Sequence, residues 1–478
     1  MDSLRLQLAQ YTGQRMLSFH TPGHKGRNDL LSPIAFPSYD LTELPGLDML
    51  HNPQGVLAEA QKQAALVYGA EETFFLVNGA TVGNQAMFLS LRECSPGKKV
   101  RVERSAHRSV ISGLILSGLE PEYIPPLIHP EFELPLGVDL QKYCSGQEDL
   151  GALHLTTPSY YGTLSDLEGI IQWRNKNFPQ TPILVDQAHG AHLEGHFFPR
   201  GAVAEGADLV VHSTHKTLAA LTQAAMLHVQ GPRINRQALK QSLEILQTSS
   251  PSYLMMLSLE NALNHWQRYS WADLYQEVML LQKKLKGFFR FLTVEDIGYC
   301  GIKNVDWTKI LVNTSSLDIS ALEVVRILRS SFRIEPELWD ENNILFLLGI
   351  GSRPEEVREL AKALERIAKH YGLSASGKNK RKKRSSRFNS EVGQAELFPP
   401  LKLSPREAWL APKRVIKVKD SLGQVAGETI SIYPPGIPLV AIGEEINPWV
   451  LSYLEQAEDY QWQGWQGFKR GEILVVDI

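Results

Sequence analysis

The segment Leu209-Val210-Val211-His212-Ser213-Thr214-His215-Lys216-Thr217 runs from an apolar, strand-like stretch straight into polar groups that include one lysine. One βα unit earlier, Ile183-Leu184-Val185-Asp186 does the same and ends on a carboxylate, followed by Gln187-Ala188-His189-Gly190-Ala191-His192. Further strand-like runs lie outward from these two, at residues 73–77, 99–103 and 152–156, with helical patterns between most of them. Short apolar strands spaced by helices imply βαβ units, hence an α/β fold with a mostly parallel sheet. In such a sheet ligands sit beyond the carboxyl ends of the strands, where Asp186 and Lys216 fall.

A lysine held away from water can shed its proton and form a Schiff base with an aldehyde. Taken alone, Lys216 reads better as a side chain snorkelling to the surface, as most lysines do. Asp186 gives it company. A pyridoxal phosphate site needs an acid that keeps the ring nitrogen protonated and the ring an electron sink. The plain alternative for Asp186 is a helix N-cap. Ala188 is small enough to lie beneath a ring. Asn78-Gly79-Ala80-Thr81 opens a helix over residues 82–91 and leaves backbone N–H groups free, a ready phosphate site, although ordinary βα loops look similar. His107, within Arg104-Ser105-Ala106-His107-Arg108-Ser109, could stack on a flat cofactor and move a proton, or be an exposed loop histidine. The sequence has no G-x-x-x-x-G-K-[ST] and no G-x-G-x-x-G, so nucleotides lose ground. His189, His192, His212 and His215 raise a zinc reading, but H-x-x-H twice without H-E-x-x-H is poor spacing for it, and no metal is expected.

Composition bounds the rest. Lys+Arg 49 against Asp+Glu 52 leaves a net charge of −3, which argues against a surface dedicated to nucleic acid or an anionic membrane. Cys94, Cys144 and Cys300 are far apart, unlike a disulfide framework or a cysteine zinc site. The amino terminus lacks a signal-peptide core and no apolar run is long enough to span a bilayer, so a cytoplasmic home is expected. The 478 residues suggest several domains. The reading is an amino-terminal arm (1–50), a large cofactor domain (51–290) with a helical stretch over 253–291, and a small α/β domain (291–373). A basic linker (374–396) and a carboxyl-terminal domain of short strands and turns (397–478) follow. The linker, with seven Lys and Arg between Lys378 and Arg387, reads as a solvated tether and not as a nucleic-acid patch.

Thr21-Pro22-Gly23-His24-Lys25-Gly26, Asn78-Gly79-Ala80-Thr81, Ala106-His107-Arg108-Ser109, Tyr160-Tyr161-Gly162, Asp186 to His192, Ser213-Thr214-His215-Lys216 and Tyr433-Pro434-Pro435-Gly436-Ile437-Pro438 form an ordered set. That set resembles the Orn/Lys/Arg decarboxylases over nearly the whole chain. The length is similar to that of shorter members without the amino-terminal wing domain. The resemblance implies the aspartate-aminotransferase-like fold of fold-type I pyridoxal-phosphate enzymes. That fold has a mostly parallel seven-stranded sheet with flanking helices, a small α/β domain and a carboxyl-terminal α+β domain. It also implies that Lys216 is the Schiff-base lysine, Asp186 pairs with the pyridinium nitrogen and His107 stacks on the ring. Gly79, Ala80, Thr81, Ser213 and His215 would hold the phosphate, with Ala188 and His189 in the cofactor shell. Lys216 or a nearby histidine such as His215 would donate a proton. Arginine, lysine or ornithine would lose carbon dioxide to give agmatine, cadaverine or putrescine, in a homodimer or larger assembly with shared sites. A polyamine-pathway role tilts the choice towards arginine or lysine.

The substrate's distal cation calls for an acid, and Asp40, Glu43, Asp48, Glu444 and Glu445 are the candidates, each equally readable as a solvated surface acid. Three positions depart from the family pattern. Gln187 and Ala80 are expected to remove a charge and a hydrogen bond from the cofactor shell, and Ile442 to alter the surroundings of the substrate. Two rivals remain. An aminotransferase or Cα–Cβ lyase would share Lys216 and Asp186, with Arg333 or Arg353 on the substrate carboxylate. A catalytically silent homologue would keep the fold as a binding partner.

Overall fold

The computed structural model describes residues 10–31, 38–92, 97–146, 150–195, 197–372, 398–432, 437–456 and 462–477. The basic run 378–387 and Tyr433-Pro434-Pro435-Gly436 lie outside the described residues.

Seven strands form the central sheet: β1 (Glu72–Leu76), β2 (Lys99–Glu103), β3 (Glu120–Ile124), β4 (Ala152–Thr156), β5 (Ile183–Asp186), β6 (Leu209–His212) and β7 (Ala225–Val229). Their order is β1-β7-β6-β5-β4-β2-β3. Only β7 runs against its neighbours. Every residue of β5, β6 and β7 is buried, because helices cover both faces, and so these strands read as continuous apolar runs without alternation. The covering helices include α1 (Val56–Tyr68), α2 (Gly79–Ser90), α3 (Arg108–Ser117) and α4 (Leu167–Asn177). A single turn, α5 (Thr214–Thr217), follows β6. The connections leaving β1, β2, β5 and β6 therefore emerge on one edge of the sheet.

Helix α2 begins three residues before the apolar pattern suggests. Gly79, at φ 78°, turns the chain out of β1, and the small Ala80 and Thr81 continue as helix. The stretch 253–291 is two helices, α6 (Tyr253–Trp266) and α7 (Ala272–Leu285), broken around Trp271, and it ends in a strand.

That strand, β8 (Arg290–Phe291), joins β9 (Lys309–Asn313), β10 (Leu338–Trp339) and β11 (Asn343–Leu347) in an antiparallel sheet ordered β8-β9-β11-β10. Helices α8 (Ala321–Phe332) and α9 (Pro354–Tyr371) pack on it. The arm is more regular than its composition suggests. Leu17–Phe19 pairs in parallel with Ile334–Pro336, stitching arm to small domain.

Among the described residues the carboxyl-terminal region holds two α-helices besides its strands: α10 (Pro405–Leu410) and α11 (Pro448–Glu455). Each starts on a proline behind a side-chain cap, Ser404 and Asn447, a signal that is legible in the sequence. The strands are β12 (Lys413–Lys417), β13 (Ile430–Ile432), β14 (Pro438–Val440), β15 (Trp462–Gln463) and β16 (Glu472–Val476). Ala408, Val425, Ala441 and Ile442 share one apolar core with β2, α2 and α3. This region is thus welded to the helix that follows His107.

Candidate active site

Lys216 sits on α5, half-buried, with its Nζ 2.8 Å from His189 Nε2. The ring of Tyr160 lies 4.4 Å from that of His189 and 5.9 Å from the Lys216 ammonium. Burial lowers the pKa of Lys216, against the opposing charges of Asp186 and Glu337, and Lys309 adds to the lowering. Burial first, then Lys216 and Lys309, hold His189 well below the ordinary imidazole value. A neutral His189 can accept the lysine's proton through Nε2.

The α5 turn is clamped by backbone contacts from both sides. The Gly23 N–H donates to His215 O (2.7 Å), the Ile350 N–H to Thr217 O (2.9 Å), and the Gly351 N–H to Gly23 O (2.9 Å). A Cβ on Gly23 would stand 2.5 Å from the Thr217 carbonyl carbon, so only glycine allows this approach.

Asp186 closes β5 and is 3% exposed. Oδ2 accepts from Asn84 Nδ2 (2.7 Å) and Oδ1 from the Ala188 N–H (3.0 Å). The same Asn84 amide donates to Ser109 Oγ (2.9 Å), which lies 2.8 Å from His107 Nδ1. The Ser109 N–H also donates to Nδ1 (3.2 Å), as befits an N-cap of α3, so the neutral ring carries its proton on Nε2. Burial and the nearby Lys216 charge bring His107 down to about 4. Asp186, Asn84, Ser109 and His107 therefore form one connected chain.

A buried carboxylate without a counter-charge is costly, and Asp186 makes no ion pair among the described residues. A protonated pyridine nitrogen is the partner that would satisfy it. The opposite end suits a phosphate. Asn78 does not cap α2, its Oδ1 accepting from the Thr248 N–H instead (3.3 Å), so the first-turn N–H groups of Gly79, Ala80 and Thr81 have no side-chain cap. On the connection that follows β6, Ser213 and Thr214 start α5, and the buried Thr214 Oγ1 has no partner among the described residues. His215 Nδ1 donates to Ala224 O (3.1 Å), and burial lowers its ring to about 4 despite that bond. The donor set fits pyridoxal phosphate at both ends.

Several expectations are corrected. Gln187 is engaged away from the Asp186 carboxylate: its Nε2 lies 2.9 Å from both Gly190 O and His212 Nε2, and its Oε1 accepts from the Ala202 N–H (2.6 Å). Successive side chains leave a strand on opposite faces, so with Asp186 turned inward Gln187 turns to the histidine pair His212–His228. Glu444 is fully buried, with its two oxygens on Arg104 (2.6 and 2.7 Å), and is not free for a substrate. Asp48 is spent on backbone N–H groups of Met49, Gln54, Gly55, Leu57 and Ala58; burial opposes them, yet they hold it at about 2. Ile442 is buried in the core and Glu445 pairs with Lys402 (3.0 Å). Asp40 is exposed and Glu43 half-exposed on the arm. Ala80 is buried in the first turn of α2. Arg333 and Arg353 are exposed at helix ends.

The four histidines do not converge: His189 meets Lys216, His192 meets Asp306 (3.0 Å), His212 meets His228 (3.0 Å), and His215 meets Ala224. Among the described residues no cluster of His, Cys, Asp or Glu is arranged to hold a metal.

Four residues assigned no role from the sequence complete the site. Asn84 and Ser109 link Asp186 to His107. Glu337 accepts from Tyr160 Oη (2.8 Å) and from the Thr21 N–H (2.7 Å). Lys309, wholly buried, donates to His189 O (2.6 Å) and Asp306 Oδ2 (2.6 Å). A polar residue on an apolar helix face (Asn84) and a lysine inside an apolar strand (Lys309) were the available signals. Glu337 carried none.

A mostly parallel seven-stranded sheet of this order, with a small α/β domain beside it, is the fold of the fold-type I pyridoxal-phosphate enzymes, and Lys216, Asp186 and the uncapped start of α2 stand on the connections that leave one edge of it. Residues 3–308 match the model of the Orn/Lys/Arg decarboxylase major domain, and residues 393–471 that of the Orn/Lys/Arg decarboxylase C-terminal domain. The chain belongs to the Orn/Lys/Arg decarboxylase family, carboxy-lyases of basic amino acids. It is similar to an arginine decarboxylase of Bacillus anthracis, 32% identical over 477 residues, covering 94% of this chain and 91% of the relative. An uncharacterized protein of Bacillus subtilis is 34% identical over 454 residues, covering 92% and 91%. The solved constitutive lysine decarboxylase of Escherichia coli superposes with a TM-score of 0.72 at 19% identity, covering 99% of this chain and 82% of that one. Among the described residues no helix is long and apolar enough to cross a membrane.

Proposed function

We propose that this chain decarboxylates arginine, as a cytoplasmic, homodimeric pyridoxal-phosphate enzyme. The observation that carries the chemistry is a half-buried Lys216 whose Nζ lies 2.8 Å from His189 Nε2, together with a buried Asp186 that makes no ion pair among the described residues. Pyridoxal phosphate, when bound, supplies an electron sink that lets an α-carboxylate leave as carbon dioxide. Asp186 would hold the proton on the ring nitrogen, and Asn84 and the Ala188 N–H fix the carboxylate that does so. The first turn of α2, with Ser213 and His215, would bind the phosphate. His107 would lie on the ring face, its orientation set by Ser109. Lys216 would bind the cofactor covalently and, with neutral His189 as its proton partner, return a proton to Cα.

Glu337 would meet the substrate's distal cation. Tyr160 and the Thr21 backbone fix its carboxylate on the side of the site that Lys216 occupies. The preference for arginine rests on the similarity to the arginine decarboxylase and on the match between a planar guanidinium and a fixed carboxylate. The dimer reading is supported by Tyr39, Leu41, Leu44 and Met49, apolar side chains exposed together on the arm beside Asp40 and Glu43. A second subunit would cover them.

The test is carbon dioxide and amine release by purified, cofactor-loaded protein given arginine, lysine or ornithine. Equal amounts of carbon dioxide and agmatine from arginine, both lost in Lys216→Ala, are expected. Amino-group transfer to a keto acid without carbon dioxide would contradict the reading in favour of a transaminase. Silence on every substrate despite bound cofactor would favour a binding role.

A further inference from the structure

The loop that presents His107 starts at Arg104, and Arg104 is held by the carboxyl-terminal domain. Its Nε and Nη2 donate to the two oxygens of Glu444 (2.6 and 2.7 Å), and Nη1 donates to Pro438 O (3.0 Å). Both side chains are almost wholly buried, at 2% and 0% exposure. Glu444 is fixed in turn by the Ala441 N–H (2.7 Å), and the guanidinium stacks 5.7 Å from the Tyr123 ring centroid. The backbone is pinned as well, the Arg104 N–H donating to Ile124 O (2.9 Å) and the Ala106 N–H to Glu103 O (3.0 Å).

The far end of α3 is held by the same domain. Arg406 on α10 donates to Leu116 O (3.1 Å) and lies against Gly118, the left-handed residue that ends the helix. Between these anchors Val110, Ile111 and Leu114 share a core with Ala408, Ala441 and Ile442. A helix held at both ends and along one face cannot shift without the domain that holds it. His107 caps that helix, three residues beyond Arg104.

We propose that the Arg104–Glu444 pair is a positioning element for His107, through which the carboxyl-terminal domain sets the histidine's plane in the active site. The inference rests on the placement of His107 at the cofactor given above. Neither Arg104 nor Glu444 touches substrate; they act through His107. A bidentate fork fixes direction as well as charge, which a lysine in its place would not do.

The experiment is a double-mutant cycle in cofactor-loaded, full-length protein with Arg104→Lys and His107→Ala, singly and together. The readouts are kcat, KM and the visible circular dichroism of the bound cofactor. Arg104→Lys is expected to keep KM and lower kcat about ten- to a hundredfold, the loss that angstrom-scale misplacement brings. Its visible dichroism should change, and it should add nothing in the His107→Ala background. Multiplicative losses in the double variant, or unchanged kcat and dichroism in Arg104→Lys, would overturn the proposal. Full activity in His107→Ala would instead sink the site reading beneath it. Glu444→Asp, which keeps the charge and withdraws the carboxylate by one methylene, gives the same cycle if Arg104→Lys does not fold.

Discussion

A methyl group placed on Gly23 would be driven into the turn that carries Lys216. The new Cβ would lie 2.5 Å from Thr217 C and 2.7 Å from both Thr217 O and Leu218 O. All three are backbone atoms, so no side-chain rotation relieves the contact. Reaching ordinary contact distance needs a separation of about 1 Å between arm and turn. Gly23 also donates to His215 O and accepts from the Gly351 N–H, and such a shift loosens both bonds. Overpacking costs about 1–3 kcal/mol. Two weakened hydrogen bonds add about 1 kcal/mol each, for a total of roughly 3–5 kcal/mol. If the turn absorbs the shift, Lys216 moves by a distance that costs about a hundredfold in rate. Gly23→Ala should therefore show a lowered melting temperature together with a collapse of kcat, measured by thermal unfolding and carbon dioxide release. Gly13→Ala, with nothing within 4 Å of the new methyl, is the control and should match the parent. Parent-like kcat and melting temperature in Gly23→Ala would refute the claim that the arm fixes the Lys216 turn.

Three further outcomes follow from the same geometry. Asn84→Leu removes a hydrogen bond to a charged carboxylate, worth about 1.5–3 kcal/mol, so cofactor affinity measured by fluorescence titration should fall about ten- to a hundredfold. Lys309→Met removes the permanent counter-charge of buried Asp306, leaving it His192 and Thr308, and should destabilise by about 3–5 kcal/mol in denaturant unfolding, whereas Lys309→Met with Asp306→Leu should recover much of the loss. Glu103 is raised by burial to about 7, against the hydrogen bonds from Ser105 and Thr156. Between its unfolded value near 4.5 and about 7 the folded chain keeps a proton that the unfolded chain has lost. Stability from this group is therefore complete below that window and falls as pH rises through it. Glu103→Gln should flatten the decline of melting temperature across the window, and an unchanged slope would rule out Glu103 as its source.

The parallel sheet was legible because β5 and β6 are buried on both faces and must be apolar throughout. The positions of Lys216 and Asp186 beyond strand ends, and of His107 in a strand-to-helix connection, were legible because those boundaries show in a single sequence. What tertiary packing alone decides was not. Glu444 and Gln187 look like site residues until the fold turns each into a buried partner of something else. Glu337 is brought to Lys216 by the small domain, across a separation no local pattern reports. The early start of α2 was hidden by glycine, whose positive φ reads as a break and here begins the helix.

The central claim is that Lys216, and not another buried lysine nearby, is the cofactor lysine. Lys25, lowered by burial to about 7, and Lys309, also lowered by burial, are the competitors. The decisive measurement is borohydride reduction of protein loaded with pyridoxal phosphate, followed by digestion and mass mapping of the phosphopyridoxyl group. One equivalent per chain on the peptide containing Lys216, absent from Lys216→Ala, is the expected result. Label on the Lys25 or Lys309 peptide instead, or label that survives in Lys216→Ala at parent level, would contradict it.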